Sequence, residues 1–249
     1  MGNASPARGI WCLLGESATA ARYAVAGFDW VLLDMQHGAY DRSRVVDTLR
    51  LRTEAWPRTL VRVPGLDAAA IGSALDAGAR GVVVPLVDGA ADARAAVDAA
   101  LYPPLGRRSW GPLEPLWGRD APTRDEANNR TEVWLMIETR GGLDELEEIV
   151  AVPGVTSIFV GPYDLSLALG ITLEELLAAP DEDAPLRRIL AACRAAGIRC
   201  GAFGGEPGKA ARLLELGFDD VSVATDAGAI DAGAASVLGA APAQGAGGY

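Results

Sequence analysis

The chain alternates two kinds of segment along its length. Short runs of β-branched and other apolar residues are followed by longer Ala- and Leu-rich stretches with apolar positions three and four apart. The first kind predicts strands at 9–15, 29–35, 58–63, 81–87, 132–137, 156–160, 198–203 and 219–224. The second predicts helices at 17–26, 41–54, 67–77, 90–101, 142–151, 207–216 and 227–239, with a short and a longer helix near 164–169 and 184–196. The strand segments are continuously apolar rather than alternating, as expected where helices cover the sheet and neither face meets water. Gly27, Gly78, Gly154, Gly197 and Gly217 fall just past predicted helix ends, where a left-handed cap suits glycine.

Eight strand–helix units in this order predict an α/β fold, a (β/α)₈ barrel built as one unit across residues 1–249. An open doubly wound sheet is the alternative. It would usually carry fewer strands, and no G-x-G-x-x-G follows the first strand here. Two segments depart from the rhythm. Residues 102–131 read as a long loop rich in Pro, Gly, Trp and charge, and Arg108, Trp110 and Trp117 are candidates for a lid or a subunit contact. Residues 240–249 read as a mobile Ala/Gly tail.

Composition narrows the chemistry. Half of the residues are hydrophobic and 22% are charged, which predicts a globular protein. The net charge of −11 disfavours nucleic acid as a partner. No apolar run is long enough for a membrane span, and residues 1–9 lack the layout of a signal peptide. Cys12, Cys193 and Cys200 show no C-x-x-C spacing and read as buried free thiols of a cytoplasmic protein. His37 is the only histidine and Lys209 the only lysine, so three-histidine metal sites are excluded. Lys209 opens the helix after strand seven and is expected to face outward. A Schiff-base lysine inside the barrel is then absent.

Barrel enzymes gather catalytic groups where their strands end. Those ends carry Asp34 and His37, Arg62, Asp88, Glu138, and the turn Gly161-Pro162-Tyr163-Asp164. Glu138 and Asp164 form a donor set that suits Mg²⁺ or Mn²⁺. Helix caps, or a salt bridge to Arg62, account for them equally well. Asp34 three residues before His37 suits an oriented general base, although a lone histidine is often structural. Open amides at Tyr163 and Asp164, after a proline, suit a carboxylate or phosphate, or leave Asp164 a simple cap.

Several segments in fixed order resemble the HpcH/HpaI family of metal-dependent pyruvate aldolases over residues 9–238. They are GFDWVLLDMQHGAYD (27–41), LVRVPG (60–65), ALDAGARGVVVPLVD (74–88), YPPLGRRSWGP (102–112), IET with LDELEEI (137–149) and IFVGPYDLSLALG (158–170). The resemblance implies a carbon–carbon lyase acting on a 2-keto acid, pyruvate or hydroxypyruvate, and an aldehyde. It implies metal ligands at Glu138 and Asp164 for Mg²⁺ or Mn²⁺, with Co²⁺ and Zn²⁺ also compatible. It places the base and its partner at His37 and Asp34, the keto-oxygen contact at Arg62, and the substrate carboxylate at Gly161, Tyr163 and Asp164. An aspartate lent across a subunit boundary falls on Asp76, within a homo-hexamer whose C-terminal helices are exchanged. Gln36 and Met136 stand where many members carry glutamate and glutamine, which shifts the expected substrate but not the metal or the fold. A synthase with a non-aldehyde acceptor, an oxaloacetate decarboxylase and a non-catalytic keto-acid-binding barrel are the competing readings.

Overall fold

In a computed structural model, described for residues 5–239 apart from 179, 180 and 182, eight parallel strands close into a barrel in sequence order. The expected tail, 240–249, lies outside the described residues. The strands are β1 (Ala7–Cys12), β2 (Trp30–Asp34), β3 (Arg58–Arg62), β4 (Gly81–Val84), β5 (Glu132–Ile137), β6 (Ser157–Val160), β7 (Arg199–Phe203) and β8 (Asp220–Thr225). The first helices are α1 (Ser17–Ala24), α2 (Arg42–Arg50), α3 (Ala68–Asp76), α4 (Ala90–Ala100), α5 (Arg124–Arg130) and α6 (Arg140–Asp144). There follow α7 (Leu146–Val150), α8 (Pro162–Leu169), α9 (Leu173–Ala178), α10 (Pro185–Ala196), α11 (Pro207–Leu216) and α12 (Asp226–Leu238). No helix among the described residues is long and apolar enough to cross a membrane.

The continuous apolar strands split their residues between two cores. Val31, Leu33, Val61, Val82 and Val84 face the helices, while Trp30, Leu32, Leu60, Val83, Trp134, Met136 and Phe159 fill the barrel. Glycines open the room that the interior aromatics occupy: a Cβ on Gly9 would lie 2.0 Å from the Trp30 ring, and one on Gly201 2.6 Å from that of Phe159. Below them, buried Asp220 takes Arg58 at 2.5 Å and Arg199 at 2.6 Å. This ionic layer closes the end where the strands begin.

The strand and helix order holds throughout, with three local differences. Predicted helix 142–151 is two short helices that meet at Glu145, whose carboxylate leaves to accept the Ala90 N–H of α4 at 2.9 Å. Helix α9 fills part of the stretch between the two helices expected after strand six. Segment 102–131 is not a plain loop. It holds a 3₁₀ turn at Glu114–Trp117 and helix α5, which starts with a reciprocal Thr123–Glu126 capping box. The five glycines expected past helix ends all have positive φ, 71° at Gly197 for example. The three cysteines are free and buried.

Because residues 102–131 join α4 to β5, they lie where strands begin. The Leu113 N–H meets the Asp76 carbonyl at the end of α3 (2.7 Å), and the Arg108 N–H meets that of Leu101 after α4 (2.9 Å). The mouth formed by the strand ends is at the opposite end of the barrel. A lid over this chain's own mouth is therefore ruled out for Arg108, Trp110 and Trp117.

Candidate active site

Where the strands end, a cavity of about 320 Å³ is lined by Trp11, His37, Arg62, Met136, Glu138, the Gly161–Asp164 turn, Leu167 and Phe203. Of the residues expected to carry chemistry, it gathers His37, Arg62, Glu138, Gly161, Tyr163 and Asp164. Asp34 lies directly behind Arg62.

Asp34 ends β2 opposite Arg62 at the end of β3, a pairing set by strand register. Its carboxylate takes Arg62 Nε at 2.9 Å on Oδ1 and Arg62 Nη2 at 2.5 Å on Oδ2. Trp11 Nε1 donates to Oδ2 at 2.9 Å. The backbone N–H groups of Gln36 (2.9 Å) and His37 (3.2 Å) donate to Oδ1, which folds the turn that carries the imidazole to the cavity. Burial pushes the Asp34 carboxyl up, but the Arg62 hydrogen bonds and charge, with Trp11, outweigh it and hold the group below the ordinary aspartate value. The guanidinium also stacks on the Trp11 ring, 4.9 Å from its centre. Arg62 is thus held by Asp34 along the guanidinium's edge and by Trp11 across its face. Asp34, expected chiefly as the partner of His37, serves first as the anchor of Arg62.

Glu138 follows the last residue of β5 and is only 2% exposed. Its Oε1 accepts the Leu86 N–H at 2.8 Å. Leu86 adopts φ of 55°, a left-handed conformation that costs a leucine on the order of 1 kcal/mol or more. Glu138 Oε2 is buried with no hydrogen-bond partner. Burial, and then the nearby Asp164 charge, push the Glu138 carboxyl up to about 7, against the Leu86 N–H and the Arg62 charge that pull it down. A buried carboxylate oxygen without a partner is costly, and a cation is the species that would compensate it. Room for one is kept by Gly161, where a Cβ would lie 2.1 Å from Glu138 Oε2.

Asp164 stands exposed in the first turn of α8, after Pro162 at the helix start. Two carboxylates, with water or a chelating substrate, suit a hard divalent cation. No group of three or more potential ligand side chains occurs among the described residues. Two carboxylates leave positions on a cation for water or a chelating substrate, as a catalytic site with open positions requires.

The HpcH/HpaI aldolase/citrate lyase family profile matches residues 8–230. The chain belongs to the HpcH/HpaI aldolase/citrate lyase family. It is 36% identical to a 2-dehydro-3,6-dideoxy-6-sulfogluconate aldolase of Pseudomonas putida, over 88% of this chain and 86% of the relative. It is 35% identical to a hydroxypyruvate/pyruvate aldolase of Agrobacterium fabrum, over 89% and 84%. The crystal structure of an HpcH/HpaI aldolase/citrate lyase family protein from Burkholderia cenocepacia superposes with a TM-score of 0.84 at 32% identity, covering 94% of both chains. The chain is accordingly a carbon–carbon lyase of the aldolase type.

In this family member, one sequence expectation needs correction and several lining residues went unread. Lys209 does not simply face outward. Its ammonium hydrogen-bonds the Tyr163 hydroxyl, lies 4.9 Å from the centre of that ring, and meets Glu206 at 3.3 Å. Burial pulls the Lys209 pKa down, but Tyr163 and Glu206 outweigh it and hold it above the usual lysine value. An amine kept charged is a poor Schiff-base nucleophile, so that conclusion survives the change of position. Asp76 is not brought to the cavity in its own chain. It pairs with Arg108 at 2.6 Å in a separate cleft that Arg42 and Arg107 also line. Trp11, Leu167 and Phe203 line the mouth unforeseen. Phe203 is the last residue of β7, so the strand-end rule could have found it had apolar side chains been considered.

Proposed function

We propose that the chain is a divalent-metal-dependent aldolase that joins or cleaves the bond between pyruvate, or a close 2-keto acid such as hydroxypyruvate, and an aldehyde. The observation that carries this reading is the buried, unpartnered Glu138 oxygen beside Asp164, in a cavity that also presents Arg62 and His37. Glu138 and Asp164 would hold Mg²⁺ or Mn²⁺, which supplies Lewis-acid polarisation of the keto oxygen.

The protein's own groups supply the rest. The backbone N–H groups of Tyr163 and Asp164, in the first turn of α8 beside Gly161, receive the substrate carboxylate. Arg62, held by Asp34 and Trp11, sets a fixed positive charge against the oxyanion that develops from the keto group. In cleavage, His37 takes the proton of the 4-hydroxyl. The C3–C4 bond then breaks, its electron pair moves onto C3 and the keto oxygen, and an aldehyde departs. Protonation of C3 yields the free keto acid. Synthesis runs these steps in reverse. The aromatic side of the cavity limits water at the carbanion carbon.

Asp76 is assigned to a neighbouring subunit's mouth in a hexameric assembly. Its pairing with Arg108 away from its own cavity, and the exposed Val237 and Leu238 at the end of α12, support such an assembly. Three buried free thiols suit a reducing cytoplasm. The aldolase reading is tested by incubating 4-hydroxy-2-keto acids with the protein and Mg²⁺, Mn²⁺ or Co²⁺. Pyruvate release that EDTA abolishes is expected, and undiminished release in EDTA would refute the metal-dependent scheme.

A further inference from the structure

The side chains around the mouth are sorted by chemistry. Going round the barrel, the polar ones come from the β2 turn (His37), β3 (Arg62), the end of β5 (Glu138) and the first turn of α8 (Asp164). Tyr163 beside Asp164 on α8, Phe203 at the end of β7 and Trp11 on β1 form the apolar wall. Phe203 and Trp11 meet edge to face at 5.0 Å between ring centres, and Tyr163 lies 6.3 Å from Phe203. Leu167, one helical turn after Tyr163 on α8, carries this apolar wall to the rim and is 77% exposed.

Two cations touch this wall and both are already engaged: Arg62, 4.9 Å from the centre of the Trp11 ring, is paired with Asp34, and Lys209 lies 4.9 Å from that of Tyr163. Lys209 does not line the cavity, and Glu206 and the Tyr163 hydroxyl take its ammonium. That contact turns the polar tip of Tyr163 toward Lys209 and leaves its ring among the cavity's lining residues. Met136 adds a thioether at the floor, its Cε 3.1 Å from where a Gly161 Cβ would stand.

We infer that the Trp11–Phe203–Tyr163–Leu167 wall is the acceptor subsite, and that it selects uncharged aldehydes with an apolar substituent over aldehydes ending in a carboxylate or sulfonate. This rests on the aldolase reading above. The bond chemistry is unchanged: C3 of the keto acid bonds the aldehyde carbon, the carbonyl electron pair moves to its oxygen, and that oxygen takes a proton. What the wall decides is the surroundings of the substituent. An anionic end placed there is desolvated beside cations whose charges Asp34 and Glu206 already take, whereas an alkyl chain gains by leaving water.

The test compares butanal with 4-oxobutanoate, the same chain with its terminal methyl replaced by a carboxylate. Pyruvate is the donor, Mg²⁺ is present, and kcat/KM is read as a ratio in wild type and in Leu167→Arg. Butanal should lead by more than about tenfold in wild type, and Leu167→Arg should narrow that ratio by at least about tenfold. Equal use of the two aldehydes, preference for 4-oxobutanoate, or an unchanged ratio in Leu167→Arg would each overturn the inference. A parallel assay, deuterium exchange at the pyruvate methyl group, separates the two levels. Exchange without product from either aldehyde overturns the acceptor subsite alone; loss of exchange as well overturns the aldolase reading beneath it.

Discussion

Gly161 and Glu138 share one small space: a Cβ added to the glycine would stand 2.1 Å from Glu138 Oε2, the buried oxygen that has no partner. The approach of the α8 turn to the β5 carboxylate is therefore as close as a backbone permits. It sets the distance between Glu138 and Asp164, three residues further on.

Gly161→Ala must displace the Glu138 carboxylate or the α8 turn. We expect Mn²⁺ affinity to fall by one to two orders of magnitude and turnover to fall at least as far. Thermal stability in the absence of metal should change by no more than about 2 kcal/mol, since φ at this position is not positive and only local shifts are required. Calorimetric metal titration and a melting curve of the same sample check this. Wild-type affinity in the variant would contradict the geometry.

The pH dependence of stability follows from Glu138. Its folded pKa, about 7, lies above the ordinary glutamate value, so the folded metal-free protein binds this proton more tightly than the unfolded chain does. The contribution is fully favourable below about pH 4.5 and is lost as pH rises through 7. The difference amounts to about 3 kcal/mol at most. Glu138→Gln keeps an acceptor for the Leu86 N–H and removes the charge. Without metal it should therefore be more stable than wild type at pH 8, and the gap should shrink toward pH 5. Denaturant midpoints at the two pH values, in EDTA, provide the comparison. Added Mg²⁺ should stabilise wild type at pH 8 and leave Glu138→Gln nearly unaffected.

Asp34 anchors Arg62 through two hydrogen bonds inside the protein, so removing its charge should do more than unbalance a surface pair. Asp34→Asn leaves the guanidinium buried beside a neutral amide, with an expected loss of about 3 kcal/mol or more in stability. Trp11→Phe retains a ring under Arg62 and deletes one donor to Asp34, for a smaller loss of about 1–2 kcal/mol. Activity should fall in the same order, mainly in kcat. Unfolding midpoints and steady-state kinetics of both variants check the ranking. Equal effects would show that Trp11 matters as much as the ion pair.

Much of this was legible in the sequence, for identifiable reasons. Strands covered on both faces read as continuous apolar runs, so the barrel order could be counted. Asp34, Arg62 and Glu138 are polar residues at the ends of such runs, where they have no place in a core. Trp11 and Phe203 were hidden because an apolar residue in an apolar strand carries no mark of facing a cavity. Helix α5 (RDEANNR) has no apolar stripe, and only the Thr123–Glu126 spacing announces it. Lys209 was misplaced because periodicity gives the face of a helix but not what α8 brings against its first turn. The location of 102–131 was implied all along: a segment between a helix and the next strand belongs at the end where strands begin. The Asp34–Arg62 fork could not be read because it depends on the β2–β3 register.

The pairing of Glu138 and Asp164 on a cation that serves a keto acid is the core of the proposed mechanism. It is tested most directly by exchange of the pyruvate methyl protons in D₂O, followed by NMR with Mg²⁺ and with EDTA, in wild type, Glu138→Ala and Asp164→Ala. Exchange is expected in wild type with metal, and none above background in EDTA or in either variant. Exchange that persists in EDTA, or in either variant at the wild-type rate, would contradict it.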